Sequence, residues 1–76
     1  MVKAYIKLNN LNDVQKFHSV ASSCSYDLIM ESGSMRINAK SLMGVMCLAC
    51  KNVSALIAKS NDRTDFRNKF EEFFAR

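Results

Sequence analysis

Residues 37–46 have the sequence Ile-Asn-Ala-Lys-Ser-Leu-Met-Gly-Val-Met, in which one repeating pattern gives way to another. Apolar and polar residues alternate over residues 35–39, and this alternation predicts a strand. Ser41 comes next, and serine caps helices because its side-chain oxygen accepts a hydrogen bond from an unpaired backbone N–H. The apolar residues after it predict a helix over residues 41–49. Gly44 costs such a helix about 1 kcal/mol relative to alanine, so we expect a close packing contact there.

The chain before this stretch predicts two more strands. Residues 27–31 are mostly apolar, and a Ser-Gly-Ser turn sequence at 32–34 separates them from residues 35–39, as in a β-hairpin. Residues 2–8 alternate strictly between apolar and polar, which indicates a sheet with one buried face and one solvated face. The apolar residues that would share the buried face are Val2, Ala4, Ile6 and Leu8.

A helix is predicted over residues 12–24, between the first two strands. Its apolar residues recur at helical spacing and form one stripe. That stripe consists of Val14, Phe17, Ala21 and Cys24. Asn10 or Asn12 can cap this helix, and Asp13 lies in the first turn, where the helix dipole favours negative charge.

The last part of the chain predicts a strand and a helix. Residues 53–59 are mostly apolar and predict a strand with neighbours on both sides, and residues 63–74 predict a helix capped by Asp62 or Thr64. The residues expected in the core from the two amphipathic helices are Val14, Phe17, Ala21, Phe66, Phe70 and Phe73.

The predicted elements have the order βαββαβα. Short antiparallel strands with intervening helices predict an α+β open-faced sandwich, with a four-stranded antiparallel sheet and three helices on one face. The 76 residues suffice for one domain, residues 1–76, and leave no room for a separate catalytic domain, so we do not expect an enzyme.

The segment 37–46 resembles the regulatory-serine signature of HPr, the histidine-containing phosphocarrier family of the sugar phosphotransferase system. That signature is roughly V/I-N-x-K-S-I/L/V-M-G-V-M. Element order and length agree over nearly the whole chain. Asp62 also opens the last helix, and Phe-Glu-Glu at 70–72 stands where the family has L-E-E. The resemblance implies the HPr-like βαββαβα fold and protein partners.

The chain departs from the family at the start of the first helix. The family carries its phosphohistidine there in a G-I/L-H-A-R-P motif, whereas residues 8–14 contain no histidine, arginine or proline. Asn9, Asn10 or Asn12 occupies the place of the histidine in this degenerate loop. An asparagine amide does not accept a phosphoryl group, and Asp13 would repel one, so we predict no phosphorylation on histidine.

The resemblance assigns roles to residues around Ser41. The matching serine is phosphorylated by a dedicated kinase in many Gram-positive bacteria, and the product acts as a corepressor of carbon-catabolite genes. Lys40 could pair with such a phosphate. The resemblance also implies a partly exposed docking patch at Leu42, Met43 and Met46. Two alternatives stay open: Ser41 is only a helix cap, and the three apolar residues belong to the core.

The histidine and the cysteines are not expected to form a reactive site. His18 is the only histidine and lies at the edge of the apolar stripe, with a relocated phosphoacceptor as the alternative. Cys47 and Cys50 have C-x-x-C spacing but close a helix, where the dipole opposes a thiolate. Zinc would need ligands from another helix. We therefore expect buried or semi-buried thiols, no metal and no cofactor.

Charge and hydropathy restrict the partners and the cellular location that we expect for the protein. The net charge of +4 is modest, and although it suits an acidic partner, ordinary solubility is the preferred explanation. The start of the chain does not resemble a signal peptide and no apolar run could span a membrane, so we expect a cytoplasmic protein without membrane insertion. Only Tyr5 could serve as an aromatic residue on the open sheet face, which argues against nucleic acid.

These observations predict an HPr-like regulatory or adaptor protein of the phosphotransferase system or of carbon-source control. Its partners would be proteins of that system, or a carbon-control regulator or kinase. The main alternative is a phosphocarrier that uses an unconventional site. A domain that kept the fold and changed its function is the third interpretation.

Overall fold

The computed structural model describes residues 1–48 and 53–75. The strands are β1 (Val2–Ile6), β2 (Leu28–Ser32), β3 (Met35–Asn38) and β4 (Ser54–Ala58). The helices are α1 (Leu11–Ser23), α2 (Leu42–Leu48) and α3 (Arg63–Phe70), and a 3₁₀ turn (Glu71–Phe73) follows α3. The element order confirms the prediction of a βαββαβα chain. The end of the predicted helix 41–49 lies outside the described residues.

The strands form one antiparallel sheet in the order β1-β4-β2-β3. β4 therefore lies between β1 and β2, which confirms the prediction that this apolar strand has neighbours on both sides. The β2–β3 hairpin turns at Gly33, whose φ of 59° is in the left-handed region that glycine adopts without steric cost.

The strand register separates the two faces of the sheet. Ala4 pairs with Leu56, Leu56 with Met30, and Met30 with Ile37, so this row of side chains points to the same face. Leu56 and Met30 are buried, which identifies the face that the helices cover. The neighbouring row lies on the open face and includes the exposed Tyr5 and Arg36, the half-buried Glu31 and the small, buried Ala55. The predicted contrast between a buried and a solvated face is confirmed.

The core joins the helices to that face of the sheet through a cluster of phenylalanines. All six residues predicted in the core are buried. The ring of Phe17 on α1 lies 5.6 Å from the ring of Phe70 and 5.5 Å from that of Phe73, measured between centroids. Phe66 lies 5.3 Å from Phe70. These distances are within the range at which aromatic pairs attract each other.

Two predicted ends differ from the structure by more than one residue, and the other described ends agree within one residue. β1 ends at Ile6 rather than residue 8, and α3 ends at Phe70 rather than residue 74. Phe74 instead forms an antiparallel bridge with Ile6, and the N–H of Ala75 donates to the carbonyl of Tyr5 at 2.8 Å. β1 is an edge strand, so the end of the chain pairs backbone groups that the sheet leaves unpaired.

A side-chain hydrogen bond ties the start of α3 to the segment before β2. Asp62, one of the two predicted caps, accepts from the backbone N–H of Asp65 at 3.0 Å. The hydroxyl of Tyr26 donates to Asp65 Oδ2 at 2.8 Å. Burial, together with this bond, raises the pKa of Tyr26 above its ordinary range, and the same bond lowers the pKa of the Asp65 carboxyl.

Candidate functional site

Ser41 is an exposed residue that also caps α2. Its Oγ accepts a hydrogen bond from the backbone N–H of Gly44 at 3.3 Å, and its carbonyl accepts from the N–H of Val45 at 3.0 Å. The capping interpretation is therefore confirmed. Because Ser41 is exposed, the cap does not hide its hydroxyl from solvent. A role as a modification site stays a prediction.

Lys40 connects this site to the end of α1. Its ammonium donates to the carbonyl oxygen of Cys24 at 2.9 Å, and its backbone N–H donates to Asn38 Oδ1 at 2.9 Å. Cys24 is the C-cap of α1, where the helix dipole favours a cation. A phosphate on Ser41 would therefore compete with an existing partner for the half-buried Lys40.

The residues of α2 divide into an inner and an outer side. Val45 and Leu48 are buried on the inner side. Leu42 is 40% exposed, Met43 80% and Met46 51%, so the alternative that they belong to the core is wrong. We call the exposed residues Ser41, Leu42, Met43 and Met46 the α2 surface. That this surface docks a partner stays a prediction.

Cys47 corrects one expectation. Cys24 is buried as expected, but Cys47 is exposed, and Cys50 lies outside the described residues. The reason is helical spacing, because Cys47 follows the exposed Met43 by four positions and shares its side of the helix. The spacing places Cys47 on the same side as Met43, but the sequence alone does not show that this side of α2 faces solvent.

Gly44 makes the close contact that its position predicted. A Cβ at this residue would lie 3.1 Å from Cδ1 and 3.4 Å from Cβ of Ile37 on β3. Its neighbour Ser41 Oγ would also be 3.4 Å away. The absence of a side chain therefore lets α2 approach the sheet directly behind the α2 surface.

Side chains at the start of α1 accept hydrogen bonds from its nearby backbone N–H groups. Asn10 is the N-cap, and its Oδ1 accepts from the N–H of Asp13 at 2.9 Å. Asp13 Oδ2 in turn accepts from the N–H of Asn9 at 3.0 Å. Asn12, the other predicted cap, lies inside the first turn. A carboxylate thus already occupies the place where the helix dipole favours an anion.

Replacing Asn10 with alanine is expected to lower the free energy of unfolding by about 1 kcal/mol, because the N–H of Asp13 loses its partner. Urea denaturation measures the change. Asn12→Ala is the matched control, and we expect it to change stability by less than about 0.5 kcal/mol, since an exposed asparagine is removed without loss of a cap. Equal losses in the two variants would contradict this assignment of the cap.

His18 lies in the middle of α1 and is half-buried, as expected for a residue at the edge of the apolar stripe. Its Nε2 lies 3.5 Å from Ser22 Oγ, one turn further along the helix.

Residues 1–48 and 53–75 contain no helix long and apolar enough to cross a membrane. The same residues contain no group of three or more His, Cys, Asp or Glu side chains that could hold a metal ion.

No protein-family model and no curated protein sequence matches the chain. Its structure is similar to the crystal structure of HPr-C-His from Thermoanaerobacter tengcongensis, with a TM-score of 0.77. The two sequences are 26% identical, and the match covers 95% of this chain and 89% of that chain. Together with the four-stranded antiparallel sheet and three helices, this similarity establishes that the chain has the α+β HPr-like fold.

Proposed function

We propose that the protein is a regulatory or adaptor protein of the sugar phosphotransferase system or of carbon-source control, and that it binds protein partners through the α2 surface. The observation that carries this proposal is the run of exposed apolar side chains directly after an exposed serine, on an HPr-like fold. The partners would include a kinase that phosphorylates Ser41. The protein would act in the cytoplasm, as one domain over residues 1–76 and without enzymatic activity of its own.

The exposure of the α2 surface supports a docking role. Single exposed apolar residues are normal on a protein surface, whereas several that lie side by side indicate an interaction site. The outer side of α2 exposes three apolar side chains on a single helix, those of Leu42, Met43 and Met46. Methionine suits a surface of this kind because its unbranched, polarisable side chain adapts to different partners.

Phosphorylation of Ser41 would change this surface without disturbing the core. The phosphate adds a charge of about −1.5 to −2 beside Leu42 and Met43. Ser41 is exposed, and the side chains that pack behind α2 are those of Val45 and Leu48. The modification would therefore alter the affinity for a partner and leave the fold intact.

The start of α1 supports a role other than phosphoryl transfer. Asn10 Oδ1 accepts from the N–H of Asp13, and the carboxylate of Asp13 accepts from the N–H of Asn9 and would repel an incoming phosphoryl group. His18 is nearly two turns away along the helix, at a distance where the dipole gives little help. The family's chemistry has no equivalent in this loop.

We expect an HPr kinase with ATP to label the wild-type protein on Ser41, and Ser41→Ala to abolish the label. Mass spectrometry of the intact protein and of its peptides measures both. Ser34→Ala, which removes an exposed serine in the hairpin turn, is the matched control and should keep full labelling. Met43→Asp should slow labelling if the kinase docks on the α2 surface. An unlabelled wild-type protein, beside a labelled standard HPr, would contradict the proposal.

A second labelling reaction distinguishes the proposed regulatory function from the phosphocarrier alternative. The general phosphotransferase enzyme and phosphoenolpyruvate are expected to transfer no phosphate to the protein, because the acceptor histidine is missing from the start of α1. Acid-labile phosphate that disappears in His18→Gln would instead establish a phosphocarrier with an unconventional site. Failure of both reactions would favour a protein that kept the fold and changed its function.

A further inference from the structure

The outer side of α2 brings three sulfur-containing side chains together. Met43 is 80% exposed, Met46 is 51% exposed, and Cys47 is exposed with a free thiol. They stand at positions i, i+3 and i+4 of one helix, so the Cβ atom of Met43 is about 5–6 Å from those of Met46 and Cys47. Val45 and Leu48 hold the opposite side of α2 in the core, and the three sulfur-containing residues lie on the solvent side.

Thiolate and thioether sulfur are soft ligands, and soft ligands favour Cu(I), zinc and iron–sulfur clusters. The long, unbranched side chains of Met43 and Met46 have enough rotational freedom to bring their sulfur atoms towards that of Cys47. Zinc is held by cysteine, histidine and carboxylates rather than by thioethers, so the two methionines suit Cu(I) and not zinc.

We propose that Met43, Met46 and Cys47 form a three-sulfur site for one Cu(I) ion. The ion enters already reduced, so no electron is transferred. A bond forms between Cys47 Sγ and copper, and the thiol proton is released to solvent, while the two thioethers donate lone pairs. The site does not depend on the proposed function. If the α2 surface also docks a partner, metal and partner would compete for Met43 and Met46.

The test is an anaerobic titration of the full chain with Cu(I), in competition with a chromogenic Cu(I) chelator. The wild-type protein should take up one equivalent. Cys47→Ser should weaken binding by at least about tenfold, and Met43→Leu and Met46→Leu should each weaken it measurably with little change in side-chain volume. The cysteine controls are Cys24→Ala, which removes a buried thiol, and Cys50→Ser. Both should keep the wild-type affinity.

Nuclear magnetic resonance of methionine ε-methyl groups gives a second, residue-specific measurement. One equivalent of Ag(I), a closed-shell substitute for Cu(I), should shift the resonances of Met43 and Met46 and leave that of the buried Met30 in place. Wild-type affinity in Cys47→Ser, unshifted Met43 and Met46 resonances, or loss of binding in Cys50→Ser would overturn the proposal. The last outcome would assign the metal to the C-x-x-C pair alone.

Discussion

Phe70→Ala is expected to lower the free energy of unfolding by about 3–5 kcal/mol. Phe70 is completely buried, and its ring lies between those of Phe17 and Phe66, at 5.6 and 5.3 Å. The substitution removes the transfer free energy of the ring, leaves a cavity and breaks both aromatic contacts. Small domains have a total stability of about 5–15 kcal/mol, and a chain this short lies near the lower end, so most of its stability would be lost.

Urea or thermal denaturation followed by circular dichroism measures this loss. Phe74→Ala is the matched control, because Phe74 is the same residue type and lies within the predicted helix 63–74, but it is only half-buried and lies beyond α3. We expect the control to cost clearly less than Phe70→Ala. A loss below about 1 kcal/mol for Phe70→Ala would mean that the ring is not in the centre of the core.

The sequence predicted those parts of the fold that periodicity determines. Alternation in residues 2–8 identified the buried face of β1, and the spacing of Phe66, Phe70 and Phe73 identified the inner side of the last helix. The end of α3 could not be predicted this way. Phe74 continues the helical spacing, but it leaves the helix because the edge of β1 offers backbone partners, and that edge exists only after the sheet has formed.

The sequence predicted where the candidate site lies along the chain, but it did not predict which of the side chains there are exposed or what they contact. Ser41 and the helix after it follow from local patterns, but α2 has apolar residues all around, so periodicity could not say which of them face solvent. Exposure of Met43 is decided by the packing of Val45 and Leu48 against the rest of the chain. The partner of Lys40 is the carbonyl of a residue 16 positions away, and no local pattern encodes such a contact.

Gly44→Val is expected to lower the free energy of unfolding by about 1–3 kcal/mol, because α2 has no room for a branched side chain against β3. Even the Cβ would lie 3.1 Å from Ile37 Cδ1. Met43→Val, which places the same side chain on the outer side of α2, is the control and should change stability by less than about 0.5 kcal/mol. Equal stability of the two variants, measured in urea, would contradict the close approach of helix and strand.

A double-mutant cycle isolates the contact itself. Gly44→Ala gains about 1 kcal/mol of helix propensity but brings its Cβ against Ile37, so the two effects oppose each other in the wild-type background. Ile37→Val removes the Cδ1 atom that would lie nearest, and in that background Gly44→Ala should become stabilising. The two substitutions would then be non-additive, as expected for residues in contact. Additive effects of Gly44→Ala and Ile37→Val would mean that α2 is positioned by Val45 and Leu48 alone. If the close approach does position α2 against the hairpin, Gly44→Val should also displace Ser41 and slow its labelling.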